Sequence, residues 1–220
     1  MSKIKAVLFD LDGTLMNTLD DLADAVNFAL DFFGFETHSI DKYRYFVGNG
    51  IPNLIMRATP ENHRDATTLA AVKKKFYEYY NLHSMKKTRP YSGIPETLAA
   101  LKKAGIKTAV VTNKDDAAAK IIINGFFPNS FDFVFGASED IPKKPDPTIV
   151  RIATEKLGVT ADECVFVGDS CVDMETAGNS GIYSVGVTWG FRPKAELVEY
   201  GASSIVDTPE EIISVIKKIG

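Results

Sequence analysis

Six short runs along the chain are almost continuously apolar and rich in β-branched and aromatic residues: Ala6 to Phe9, Thr108 to Val111, Phe133 to Phe135, Cys164 to Val167, Tyr183 to Val187 and, more weakly, Ser204 to Val206. Runs without polar alternation predict strands buried on both faces, as in a parallel sheet covered by helices. Helical periodicity separates them. In SGIPETLAALKKAG, Pro95 stands near a helix start, Leu98, Leu101 and Ala104 recur at helical spacing, and Gly105 ends the pattern. PDPTIVRIATEKLG repeats the design with Ile149, Ile152, Ala153 and Leu157 before Gly158, and TPEEIISVIKKIG places Ile212, Val215, Ile216 and Ile219 on one face. From Pro90 onward helix and strand alternate, which predicts right-handed βαβ crossovers and a doubly wound parallel α/β sheet.

Met16 to Lys87 break this rhythm. Leu19, Leu22, Val26, Leu30 and Phe33 form one apolar stripe, with Asp20, Asp21, Asp24 and Asp31 mostly off it, and Leu69, Val72, Phe76, Tyr79 and Tyr80 form another. No strand pattern lies between them. The expected organisation is a sheet-containing core from residues 1–15 and 88–220, interrupted after the first strand by a small all-helical unit over residues 16–87.

Composition narrows the partners. The chain has 220 residues, 45% of them hydrophobic, which suffices for one core and a small satellite. The net charge of −4 is spread evenly, which argues against nucleic acid as a partner. Cys164 and Cys171 have no metal-ligand spacing, and the stretch MSKIKAVLFD lacks the long apolar segment of a leader or membrane span. The expectation is a cytoplasmic protein, monomeric or homodimeric, with no membrane partner.

Three predicted strands end in polar clusters: Asp10-Leu11-Asp12-Gly13-Thr14, Thr112-Asn113-Lys114, and Gly168-Asp169-Ser170-Cys171-Val172-Asp173. The C-terminal edge of an open parallel sheet is where ligands bind, so the three clusters predict one site. Asp10 and Asp12 would repel each other at a buried strand end, which calls for a cation. Asp10, Asp12, Asp169 and Asp173 offer hard oxygen ligands for a magnesium-like ion, Thr112 and Asn113 neutral donors, and Lys144 of KKPDP a positive charge. That set suits a phosphate, whose attack by a carboxylate requires neutralised charge.

Each cluster also has a plainer reading. Asp12-Gly13 is a common turn dipeptide, Asn113 or Asp115 could cap the following helix, and Lys144 between prolines could be a solvated loop lysine. Gly48-Asn49-Gly50 lacks the strand and lysine of a nucleotide loop, leaving a flexible helix connection or a specificity loop facing the site. Arg44 and Arg57 fit either a substrate carboxylate or solvent, and Lys114 is similarly ambiguous. Cys171 fits a small residue at a helix start or an oxidation-sensitive thiol.

Taken together and in order, FDLDGTL, VVTNK, KKPDP and VGDSCVDMETAG, spanning Phe9 to Gly178, resemble the four motifs of the haloacid dehalogenase-like phosphatase superfamily. The helical insertion resembles that family's C1-type cap, and FVGNGIPNLIMRA (Phe46 to Ala58) is similar to its phosphoglycolate phosphatase branch. The resemblance implies a Rossmann-like core and a Mg2+-dependent phosphomonoesterase of a small phosphorylated metabolite, 2-phosphoglycolate first. It makes Asp10 the nucleophile of an aspartyl-phosphate and Asp12 the acid and later base, a role that proximity to Asp10 favours by promoting protonation. It implies that Thr112 binds the phosphoryl group with help from the Asn113 backbone, and that Lys144, rather than Lys143, holds phosphate and nucleophile together. Asp10, the Asp12 carbonyl and Asp169 would ligate Mg2+, with Asp173 acting through water or Lys144. Gly48, Asn49 and Arg44 are the candidate substrate-contacting residues of the cap. A sugar-phosphate mutase of the β-phosphoglucomutase type, a pyrophosphatase and a receiver-like phospho-aspartate signalling domain stand as alternatives.

Overall fold

The computed structural model describes residues 4–220. In chain order the elements are β1 (Ala6–Phe9), β2 (Met16–Asn17), α1 (Leu19–Phe32), α2 (Ile40–Phe46), α3 (Ile51–Ala58), α4 (Ala66–His83) and β3 (Arg89–Pro90). There follow α5 (Ile94–Lys103), β4 (Lys107–Asp115), α6 (Asp116–Phe126), β5 (Phe133–Ala137), α7 (Thr148–Leu157), β6 (Cys164–Gly168), α8 (Cys171–Asn179), β7 (Tyr183–Val187), α9 (Lys194–Glu199), β8 (Ser204–Val206) and α10 (Pro209–Ile219). The chain divides into two compact units, Met1–Met16 with Pro90–Gly220, and Asn17–Arg89. These boundaries fall slightly later than residues 15/16 and 87/88 because the chain passes between the units through β2 and β3, which pair as a two-stranded sheet. Two-residue strands are too short to leave an alternating pattern.

The first unit is a six-stranded sheet in the order β5-β4-β1-β6-β7-β8, with every strand pair parallel. The central strands are buried along their length, as their unbroken apolar runs require. The outer strands depart from the expectation of burial on both faces. Phe133 of β5 is 38% exposed, because an edge strand has a neighbour on one side only. Ala6, Leu8, Ala109, Val111 and Phe166 join Ile149, Val150, Ala153 and Leu157 of α7 in one buried cluster. Each large aliphatic side chain so buried contributes roughly 1.5–3 kcal/mol. The strand order runs outward from β1 in both directions, through β4 to β5 on one hand and through β6 and β7 to β8 on the other. A crevice outside the carboxyl ends of such strands follows from the topology.

The polar residues Thr112, Asn113 and Lys114 lie within β4 rather than after it, where the β4–β5 register shifts between Val111 and Asp115. Asp115 caps α6, its carboxylate accepting from the Ala118 N–H at 3.1 Å.

In the second unit, α1 buries Leu19, Leu22, Val26 and Leu30 as its stripe demands, and α4 buries Val72, Phe76 and Tyr80. Asp21, one of the acidic residues placed mostly off the stripe, is nonetheless buried, at 3% exposure. Its carboxylate accepts from the backbone N–H of Lys87 at 3.0 Å and of Thr88 at 2.8 Å. No helix among the described residues is long and apolar enough to cross a membrane.

Candidate active site

β1 ends at Phe9, but the Asp10 N–H still donates to the Val167 carbonyl at 2.9 Å, carrying the pairing with β6 one residue further. This places Asp10 beside Asp169, the residue after β6. Asp10, Asp169 and Asp173 each offer a carboxylate oxygen within 4.8 Å of the others, and all three are buried. Lys144 reaches them from the loop after β5. Its ammonium lies 2.9 Å from Asp10 Oδ1 and 2.7 Å from Asp173 Oδ1, and its side chain is 1% exposed. Lys143, the other candidate, is exposed.

The backbone at Lys144 is held by Asn113, whose Oδ1 accepts from the Lys144 N–H at 2.9 Å and whose Nδ2 donates to the Lys144 carbonyl at 3.0 Å. The expectation that the Asn113 backbone assists a phosphate is thus joined by a different function for its side chain, a clasp between β4 and the lysine loop. Thr112, 2% exposed, accepts from the Lys114 N–H at 3.3 Å.

Asp173 uses both carboxylate oxygens. One accepts from Lys144; the other accepts from the Ser170 N–H at 3.0 Å and the Ser170 hydroxyl at 2.7 Å, closing the capping box of α8. Asp169 is held by the Thr14 hydroxyl, which donates to Oδ1 at 3.1 Å, and by the Phe191 N–H, which donates to Oδ2 at 2.8 Å. Neither Thr14 nor Phe191 was singled out by sequence. Thr14 sits in the first motif, whereas Phe191 contributes a backbone group that carries no side-chain signature.

Asp12 has its own cation. Lys114 Nζ lies 3.0 Å and 3.1 Å from the two Asp12 oxygens, with its side chain 4% exposed. The two carboxylates that the sequence sets side by side therefore face different lysines, and the ambiguous Lys114 is a buried partner of Asp12.

Burial dominates the electrostatics. Desolvation pushes the Asp10 carboxyl up to about 6, against the pull of Lys144 and with a further push from Asp173. Asp169 is driven well above the usual carboxylate range by burial and then by Asp173 and Asp10. Burial disfavours the charged form of Lys144, yet Asp10 and Asp173 overcome it and hold the ammonium above its ordinary range. Three buried carboxylates facing one ammonium leave unbalanced negative charge, and clustered hard oxygen donors fit a Mg2+-type ion. Cys171 opens α8 with a thiol that burial, and then Glu196, pushes up to about 11.

The candidate cap residues lie in the other unit. Gly48 and Gly50 hold positive φ values of 120° and 83°, and the loop between α2 and α3 is braced rather than loose. Arg57 donates from Nη1 to the Phe46 carbonyl at 2.9 Å and from Nη2 to Asn49 Oδ1 at 2.7 Å, while Asn53 donates to the Asn49 carbonyl at 3.0 Å. Arg44 Nε lies 3.7 Å from the Asp41 carboxylate.

Convergent carboxylates, a threonine and a buried lysine at the carboxyl edge of a doubly wound sheet make a donor set suited to a cation and a phosphate. The haloacid dehalogenase-like hydrolase model matches residues 7–187, and the chain belongs to that family. It is a phosphatase of the phosphoglycolate phosphatase-like branch. It is 33% identical to the phosphoglycolate phosphatase of Colwellia psychrerythraea over 97% of both chains. It is 31% identical to the N-acetylmuramic acid 6-phosphate phosphatase of Pseudomonas aeruginosa, over 98% of this chain and 96% of that one. The crystal structure of a predicted phosphoglycolate phosphatase from Haemophilus somnus superposes with a TM-score of 0.90 at 30% identity, covering 98% of this chain and 99% of that one.

Proposed function

We propose that the chain is a Mg2+-dependent phosphomonoesterase that hydrolyses a small carboxylated phosphate ester, 2-phosphoglycolate foremost, through an aspartyl-phosphate on Asp10. The observation that carries this reading is Lys144, whose ammonium bridges Asp10 and Asp173 within the buried acidic cluster. Asp10 and Asp169, with the Asp12 carbonyl, would hold the ion, while Asp173 is committed to Lys144 and Ser170. When bound, Mg2+ supplies the positive charge that offsets repulsion between a carboxylate and a phosphate dianion.

In the first half-reaction an Asp10 oxygen attacks phosphorus, the ester P–O bond breaks, and Asp12 donates its proton to the departing oxygen. Thr112 and Lys144 hold the phosphoryl oxygens. In the second, Asp12 takes a proton from water as the water oxygen bonds to phosphorus, and the acyl-phosphate P–O bond breaks to release inorganic phosphate. Lys114, which meets both Asp12 oxygens, orients that carboxyl for the two transfers. Within the helical unit, Gly48, Asn49 and Arg44 are the candidates for substrate selection, and Arg57 shapes that loop.

The two relatives named above differ in substrate at nearly equal identity, so overall similarity does not select between them. Both substrates are phosphate esters of a carboxylic acid, which supports that class for this chain. Phosphate release from 2-phosphoglycolate, N-acetylmuramic acid 6-phosphate, pyrophosphate and sugar phosphates, with and without Mg2+, tests the proposal. Preferred turnover of a carboxylated ester, dependent on Mg2+, supports it. Turnover unaffected by chelation removes the ion, and preference for pyrophosphate or for phosphoryl shuttling within a sugar phosphate removes the substrate.

A further inference from the structure

The residue after β6 occupies an unusually confined position. In the sheet, β6 lies between β1 and β7, and the loop leaving each neighbour supplies Asp169 with a glycine and a hydrogen-bond donor. From β1 come Gly13 and the Thr14 hydroxyl; from β7 come Gly190 and the Phe191 N–H. A Cβ placed on Gly13 would lie 2.3 Å from Asp169 Oδ2, and one on Gly190 would lie 2.2 Å from Asp169 Cβ. No side chain fits at either distance, so both glycines are required for the carboxylate to occupy its place. The two loops are also joined to each other, since Trp189 Nε1 donates to the Thr14 carbonyl at 3.0 Å.

We infer that Trp189, Gly190 and Phe191, together with Gly13 and Thr14, form a clamp that sets the position of Asp169 and thereby the affinity of the acidic cluster for a divalent cation. The β7 loop lies outside the four motifs that mark the site in the sequence, and its residues are positioning residues that act through Asp169. The physical basis is the demand of Mg2+ for near-ideal octahedral geometry: a ligating carboxylate free to rotate lowers affinity, and partners that orient it raise affinity. Thr14 and Phe191 bind one oxygen each, fixing the carboxylate plane, while the glycines exclude the alternative of a displaced side chain. This inference rests on the Mg2+-dependent reading of the site.

The test is calorimetric titration of Mg2+ into the full chain without substrate, with circular dichroism reporting the fold. Gly190→Ala is expected to weaken Mg2+ binding at least about tenfold, in the range typical of lost orienting partners. Thr14→Val is expected to weaken it by about tenfold, Thr14→Ser to restore it, and Trp189→Phe to produce a smaller loss. A folded Gly190→Ala chain that binds Mg2+ within twofold of the unsubstituted protein overturns the clamp. Should Gly190→Ala not fold, equal Mg2+ affinity of Thr14→Val and Thr14→Ser overturns it instead, as does an unsubstituted chain that takes up no Mg2+. A chain that binds Mg2+ and loses it in these variants, yet releases no phosphate from any carboxylated ester, retains the clamp and removes the proposed substrate.

Discussion

The two units of the molecule bury carboxylates in opposite ways. In the helical unit, Asp21 is enclosed and its oxygens are taken up by the backbone N–H groups of Lys87 and Thr88, so the charge ties the end of the insertion back to α1. In the sheet unit, Asp10 and Asp173 share the Lys144 ammonium, Asp169 lies in the same cluster, and the carboxyls of Asp10 and Asp169 are pushed toward protonation. Desolvation costs each of these carboxylates several kcal/mol. The first arrangement is closed by the chain itself and serves structure. The second is left short of positive charge, which is the condition for binding a cation, and the added cation is what makes room for a phosphate.

The sharpest division between the two comes from Asp10→Asn. Removing the nucleophile should lower phosphate release by at least about a thousandfold, while urea unfolding shows stability retained or increased, because a buried charge has gone. Full activity in this variant ends the assignment of Asp10.

Lys144→Met should come next. It leaves Asp10 and Asp173 without their ammonium, and breaking a buried pair in this way costs about 3–5 kcal/mol. Equilibrium unfolding with and without Mg2+ checks it: the ion should recover part of the loss, since it supplies charge to the same carboxylates. Asp21→Ala should cost about 1–3 kcal/mol by stranding the buried Thr88 N–H and losing the bond from the Lys87 N–H, with Mg2+ binding by calorimetry unchanged. A shift in Mg2+ affinity there would erase the contrast between the closed and the open site.

The smallest effect is in pH. The Asp10 carboxyl stands at about 6 in the folded chain, above its ordinary value of 3.8, so the folded state holds a proton that the unfolded state has lost in between. The contribution is favourable below about 4 and is lost as pH rises through about 6. The chelated protein should therefore melt higher at pH 5 than at pH 7.5, and Mg2+ should raise the melting temperature more at pH 7.5. Equal shifts at both pH values would show that Asp10 does not meet the ion.

Much of this fold is legible in periodicity. The run Ala6 to Phe9 is β1 without adjustment, and α5, α7 and α10 form where their apolar stripes and flanking glycines place them. Buried strands and one-sided helices are local in cause, since each residue type is sorted by whether it meets water. The motifs likewise carry the chemistry of the site, because nucleophile, lysine and acidic ligands must be of particular residue types. Other features left no local trace. Asp21 reads only as lying off the apolar stripe until the insertion folds back over it, Phe133 reads as core until the sheet ends beside it, and Lys114 reads as ambiguous between substrate and solvent until β4 carries it to Asp12. Gly190 and Phe191 hold Asp169 through an absent side chain and a backbone amide, neither of which has a composition to read. The sequence by itself determined the strands of the main sheet, the helices with strong apolar stripes and which chemical groups the site holds. Only the tertiary structure decided which lysine meets which aspartate and which backbone meets Asp169, because those pairings join residues far apart in the chain, and a local pattern encodes burial but not partners.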